Sequence, residues 1–206
     1  MTDIEQGFAA NGAARLFYRS AGRGTPLVML HAGVADHRQW NEQFEHFARD
    51  YRVMRYDQRG FGRSAPVAGR YRAIDDLAAV MSTLGSPEPA VLMGCSMGGS
   101  LAMDYTIAHP DRVAALVMVC SGPSGLKLDV PGPSKFADVE RADAQGNLDL
   151  VCELETQIWF DGESREPSDV DPRLRALAYE MNRQALEHAV SYTHLTLPTS
   201  FLVLVA

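Results

Sequence analysis

The chain has 206 residues, 46% of them hydrophobic and 22% charged, with a formal net charge of −7 at pH 7. That length suits one domain with a sizeable core, and the acidic balance argues against nucleic acid or an anionic membrane as partner, because the phosphate field would repel it. The three cysteines, Cys95, Cys120 and Cys152, are odd in number and lack metal-ligand spacing, which argues against a disulfide framework or a metal site.

Met1 to Asn11 carries two acids and no apolar stretch of the secretory type, and no run of the chain is long enough to span a bilayer. A reducing cytoplasm is therefore the expected compartment, with Cys95 and Cys120 as buried free thiols in apolar strands. Ala13 to Ser20 alternates as an edge strand does, and Ala21-Gly22-Arg23-Gly24-Thr25-Pro26 reads as a turn. Leu27-Val28-Met29-Leu30 is a continuous apolar run, the pattern of a strand covered on both faces in a parallel sheet. It empties into His31-Ala32-Gly33-Val34, after which Trp40, Phe44 and Phe47 recur at helical spacing up to Ala48.

Tyr51 to Asp57 predicts the next strand, running into Gln58-Arg59-Gly60-Phe61-Gly62-Arg63-Ser64. Ile74, Leu77, Ala78, Met81 and Leu84 then mark an amphipathic helix stopped by Gly85. The next stretch, Val91-Leu92-Met93-Gly94-Cys95-Ser96-Met97-Gly98-Gly99-Ser100, is an apolar strand that meets a serine framed by glycines. Gly94 and Gly98 allow the arms of a sharp turn to pass closely, with Ser96 at its tip and the N–H of Met97 at a helix N-terminus, where an oxyanion is favoured. A small-residue helix and a strand from Val113 to Cys120 follow. Strands alternating with helices predict right-handed βαβ units and a doubly wound, mostly parallel sheet, whose ligands sit at the carboxyl ends of the strands. His31, Asp57 and Ser96 all fall there.

Past Ser121 the texture changes. Two glycine- and proline-rich stretches precede predicted helices at Phe136–Ala144, Leu148–Phe160 and Arg173–His188, with Asp171-Pro172 as a helix start. The expected division is a core over 1–121, a helical cap or lid over 122–189 and a tail over 190–206.

The ordered set His31-Ala32-Gly33, Asp57-Gln58-Arg59-Gly60-Phe61-Gly62-Arg63-Ser64 and Gly94-Cys95-Ser96-Met97-Gly98-Gly99 resembles the α/β-hydrolase fold, and within it the cofactor-free enol-lactonase-like and C–C-bond-hydrolase-like branch. By that resemblance Ser96 is the nucleophile, the amides of Gly33 and Met97 form the oxyanion hole, with Val34 in place of Gly33 if the register slips by one, and neither metal nor cofactor is needed. A serine at the elbow, where a carboxylate would be required, disfavours dehalogenase and epoxide-hydrolase chemistry. The implied activity is hydrolysis of a small ester or lactone through an acyl-enzyme on Ser96. The alternatives are a C–C-bond hydrolase or perhydrolase, or a non-catalytic ligand-binding member of the fold.

The remaining polar residues have structural readings. His31 orients the oxyanion loop, Asp57 and Arg59 brace loops, His37 and His46 are solvated, and His109-Pro110-Asp111 stops a helix. Trp159 belongs to the core of the helical cap or, as the alternative, to a pocket wall. The resemblance also implies an acid and then a histidine after Ser96, yet His109, His188 and His194 are the histidines that follow it, and none stands in the family's context. Residues 190–199 are similar to a translated sequencing-library adapter, so 190–206 are expected to be non-native, the alternative being a strand over Leu195–Ala206. On this reading the chain is a fragment, nearly inert and with an exposed sheet edge.

Overall fold

The computed structural model describes residues 3–86, 88–125, 132–162 and 164–189. The expected sequence features over the tail, 190–206, lie outside the described residues. Six strands, β1 (Glu5–Asn11), β2 (Ala14–Ala21), β3 (Pro26–Leu30), β4 (Arg52–Tyr56), β5 (Ala90–Cys95) and β6 (Val113–Val119), form one sheet in the order β1-β2-β4-β3-β5-β6. The strands from β4 through β3 and β5 to β6 are parallel, while β1 and β2 join antiparallel. This is the doubly wound, mostly parallel arrangement that the alternating elements predict.

The run Leu27–Leu30 is apolar throughout because both faces of β3 are covered. Val28 and Leu30 pack with α2 (Ala73–Thr83) and α3 (Met97–Ala108) through Leu77, Val80, Met81, Leu101 and Tyr105. Leu27 and Met29 pack on the opposite face against Trp40 and against Phe44 of α1 (Asn41–Phe47). His109 caps the end of α3, as its sequence context suggests.

Three further helices, α4 (Phe136–Ala144), α5 (Leu148–Thr156) and α6 (Pro172–Ala189), build a second apolar cluster around Val139, Val151 and Ile158. The stretch read as one helix to Phe160 leaves α-helical geometry after Thr156 and ends in a π-helical turn, Gln157–Asp161. Asp171 caps α6 by accepting from the Arg173 amide at 2.8 Å. One face of α6 meets the strand-end loops, with Met181 and Leu177 against Ala32, Ala35 and Cys95. On the same face Glu180 pairs with Arg38 at 2.6 Å, Gln184 donates to Gly62 O at 3.0 Å and the His188 Nδ1–H to Gly60 O at 2.9 Å. The three- and four-residue spacing of these positions is that of a helical stripe. A different face holds Arg175 against Glu153 and Asp161, and Asn182 against Glu155. Among the described residues no helix is long and apolar enough to cross a membrane.

Several expectations need correction. The strand at Ala14–Ala21 is not the sheet edge, because β1 pairs outside it. In β1 only Ala9 is fully buried, so its alternation is too thin to register in the sequence. Cys120, one residue past the end of β6, is exposed with φ 51°, and Cys95, at the end of β5, is half-buried. Cys152 is the buried thiol. Trp159 is 54% exposed, its ring 5.8 Å from that of Phe136, and so is no core residue.

Asp76 of α2 fastens the outer strand to the loop after β4. It accepts from Arg59 Nε at 2.9 Å and Nη2 at 2.6 Å, and from Asn11 Nδ2 at 2.7 Å, all in a buried setting. Asp76→Ala strands the Arg59 guanidinium and lowers the unfolding free energy by about 3–5 kcal/mol in urea titrations. The neighbouring exposed Asp75→Ala costs less than about 0.5 kcal/mol.

Candidate active site

β3 and β5 are paired with Leu30 opposite Gly94, so the two chains leave the sheet side by side, one as His31-Ala32-Gly33 and the other as Cys95-Ser96-Met97. Ser96 stands between β5 and α3 with φ 49° and ψ −117°, a left-handed backbone that a non-glycine residue adopts only when its surroundings enforce it. The enforcement is visible. The Ser96 amide donates to Val119 O at 2.9 Å, and its carbonyl accepts from the Gly99 and Ser100 amides at 2.9 and 3.0 Å. A Cβ on Gly94 would overlap Gly98 O, and one on Gly98 would lie 2.5 Å from Leu30 O and 2.6 Å from His31 O. The start of α3 is thus pressed onto the end of β3, as close passage of the two arms requires.

That pressure brings the second loop to the serine. A Cβ built on Gly33 would lie 3.6 Å from Met97 Sδ and 3.8 Å from Met97 Cβ, so Gly33 and Met97 are neighbours. The Met97 amide lies in the first turn of α3, where N–H groups have no intrahelical partner. The direction of the Gly33 amide follows from its peptide unit. Ala32 O accepts from the His31 Nδ1–H at 2.7 Å and from the Ala35 amide at 3.2 Å, and in a planar trans peptide the N–H of Gly33 points the opposite way.

His31 is fully buried, and its Nε2 accepts from the Gln58 amide at 2.9 Å. Burial, the largest influence, holds its imidazole below the ordinary value of 6.5, against the pull of Asp57. The hydrogen bonds agree, since Nδ1 donates and Nε2 accepts in the neutral ring. The unfolded chain takes up a proton on this histidine near its ordinary value while the folded chain refuses it until lower pH. The stability tied to the neutral ring is therefore complete above 6.5 and lost as pH falls below it. Unfolding free energies measured from about pH 7.5 to 5 decline, and His31→Gln, less stable at neutral pH, removes this part of the slope.

Asp57 braces the loops, as expected, accepting from His37 N at 2.8 Å, His37 Nδ1 at 2.7 Å and Arg63 N at 2.8 Å. Burial works to raise its carboxyl, but the His37 hydrogen bond prevails and holds it below the usual carboxylate range. His37 is therefore not solvated, as its sequence position suggested, but buried and paired with a carboxylate. With Asp36 these two form a buried group whose ligand atoms lie within 4.8 Å of one another. Their oxygens already accept from His37, Arg38 and Arg63, so the cluster is wired as a brace. Two positions that sequence reasoning passed over, Gln39 and Ser121, also reach the site. Gln39 Oε1 accepts from the Ala32 amide at 2.9 Å, and Ser121 Oγ lies 3.0 Å from Ser96 O as its donor. Neither residue belongs to a recognisable motif, and only the folded loops bring them in.

Among the described residues no histidine bonds to Ser96 Oγ. His109 ends α3, and His188 is engaged with Gly60.

A family model described as the alpha/beta hydrolase fold matches residues 25–194. The chain belongs to the α/β-hydrolase family. Among its relatives is a 2-hydroxy-6-oxo-6-phenylhexa-2,4-dienoate hydrolase of Comamonas testosteroni, 33% identical over 130 residues, which are 59% of this chain and 43% of that protein. A pimeloyl-[acyl-carrier protein] methyl ester esterase of Vibrio parahaemolyticus is 34% identical over 113 residues, 54% of this chain and 42% of the esterase. The match thus spans less than half the length of these curated relatives. Among solved structures, the enol-lactonase from Burkholderia xenovorans LB400 is similar at a TM-score of 0.68 and 20% identity, with 88% of this chain and 70% of that one covered. Est816, described as an N-acyl homoserine lactone degrading enzyme, matches at a TM-score of 0.69 and 24% identity, covering 96% of this chain and 74% of its own. These likenesses establish the fold.

Gly98→Ala tests the close approach on which the site depends. The added methyl meets the carbonyls of Leu30 and His31, so the substitution costs about 1–3 kcal/mol in thermal or urea unfolding, where an alanine in an open helix would stabilise.

Proposed function

We propose that this chain carries the nucleophile and oxyanion hole of a serine hydrolase acting on a small ester or lactone. The observation that carries the reading is the convergence of the strained Ser96 turn with the Gly33 and Met97 backbone. In the proposed reaction Ser96 Oγ attacks the acyl carbon, and the amides of Gly33 and Met97 receive the charge that develops on the carbonyl oxygen. Gly33, whose N–H direction is set by the contacts of Ala32 O, is preferred here to Val34. The leaving alcohol or ring oxygen departs, and water cleaves the acyl-enzyme. Helices within 122–189 serve as the cap in this reading, the face of α6 that bears Leu177 and Met181 closing over the oxyanion loop.

A second substrate class, C–C bonds, is favoured by the dienoate hydrolases among the relatives. The same nucleophile and amides would serve it, and p-nitrophenyl esters set beside enol-lactones and vinylogous diketones separate the two.

A serine hydroxyl needs a base to take its proton, and losing that base costs on the order of 10⁶ in turnover. With no histidine bonded to Ser96 among the described residues, the proposed behaviour of the 206-residue protein is slow acylation without sustained turnover. Incubated with p-nitrophenyl acetate and analysed by peptide mass mapping, the protein gains an acetyl group on Ser96 that persists, and Ser96→Ala gains none. Sustained turnover that survives Ser96→Ala overturns the proposal.

A further inference from the structure

The oxyanion loop is held by more than the histidine in its motif. The peptide unit joining His31 and Ala32 is gripped at both ends by glutamine side chains. Gln58 Nε2 donates to His31 O at 2.9 Å, and the Ala32 amide donates to Gln39 Oε1 at 2.9 Å. The next peptide unit, whose N–H belongs to Gly33, is held through Ala32 O by His31 and Ala35. Two successive planes are therefore fixed, and the torsions of Ala32 between them have nowhere to relax.

The two glutamines differ in reach. Gln58 follows β4 and touches only the loop end of β3. Gln39 lies in the 3-10 turn His37–Trp40 and ties that turn to the loop through the Ala32 amide. One neutral amide thus joins the 3-10 turn to the loop that carries Gly33. No charge is introduced at the place where a transition-state charge would form.

We propose that Gln39 is a positioning residue that sets the separation and direction of the Gly33 amide relative to Ser96 and Met97, by accepting the hydrogen bond of the Ala32 amide. The inference rests on the reading of Ser96 and these amides given above. Without Gln39 the Ala32 amide loses its acceptor and the peptide planes swing, so the oxyanion donor is present but misdirected. Displacements of that kind, near 1 Å, cost roughly 10- to 100-fold in rate.

The test uses the full 206-residue protein with Gln39→Met, which keeps length and loses the acceptor, and Gln39→Glu, which keeps the acceptor for Ala32. Two quantities are read: amide hydrogen exchange at Ala32 and Gly33 by NMR, and the rate of Ser96 acetylation by p-nitrophenyl acetate as a function of reagent concentration. Gln39→Met is expected to lose about tenfold or more of the protection at Ala32 and to acetylate roughly 10- to 100-fold more slowly, with an unchanged dependence on reagent concentration. Gln39→Glu is expected to restore the protection at Ala32 to within a few-fold, while its charge leaves acetylation slow. Three results overturn the inference: acetylation of Gln39→Met at the parent rate, slowing of Gln39→Met without loss of protection at Ala32, or a Gln39→Glu protein whose Ala32 amide is as unprotected as that of Gln39→Met. Failure of the unsubstituted protein to acetylate on Ser96 overturns the functional reading itself and the inference with it, which separates the two failures.

Discussion

The site depends on the flush pairing of β3 and β5. Because Leu30 and Gly94 are opposite each other in a parallel ladder, the loop and the turn leave the sheet at the same height. The helix that follows the turn can begin only where the missing side chain of Gly98 lets it rest on the carbonyls of Leu30 and His31. The backbone of Ser96 bears the strain of that arrangement, of order 1–3 kcal/mol for a residue in so sparsely populated a conformation. The sheet can hold it because β5 is paired on both sides and the Ser96 amide is tied to Val119 O. The turn is thus a local cost sustained by contacts with three strands.

Away from the sheet, the loops are held by buried polar groups more than by apolar ones. His31, Asp57, His37 and Asp76 are each buried and each is committed to backbone or side-chain partners. Such groups contribute little net free energy when paired but are expensive to orphan, so they select one loop conformation over its alternatives. The helix α6 extends the same device outward. Its carbonyl partners Gly60 and Gly62 lie in the loop after β4, and its Glu180 partner Arg38 belongs to the turn after β3, so both loops are read by one helical face.

Much of this was legible in the residues alone. Apolar runs located β3, β5 and β6, and the glycine-framed serine located the turn, because buried parallel strands and left-handed turns leave strong compositional marks. β1 left almost none, since Ala9 is its one fully buried position and the strand is stabilised by pairing with β2. His37 was misplaced for a related reason: an isolated histidine beside a helix carries no sign that a carboxylate twenty positions on will fold back onto its ring. Gln39 was silent too. Its side chain reaches back to the Ala32 amide, a property of two chain segments in space and of no motif along the chain.

The outer strand β6 has a consequence for the behaviour of the molecule among its own copies. Its seven residues, Val113-Ala114-Ala115-Leu116-Val117-Met118-Val119, include no charge and no proline. Among the described residues its far edge is unpaired, with Val117 and Val119 more than a third exposed. Asp111 and Arg112 guard the start of the strand, whereas its end runs into the uncharged Cys120-Ser121-Gly122. A short β-branched segment of this kind is a template for edge-to-edge association, and guard charges at one end disfavour only the registers that bring them together. Wherever this edge stands uncovered, the register in which neighbouring edges meet therefore governs their association.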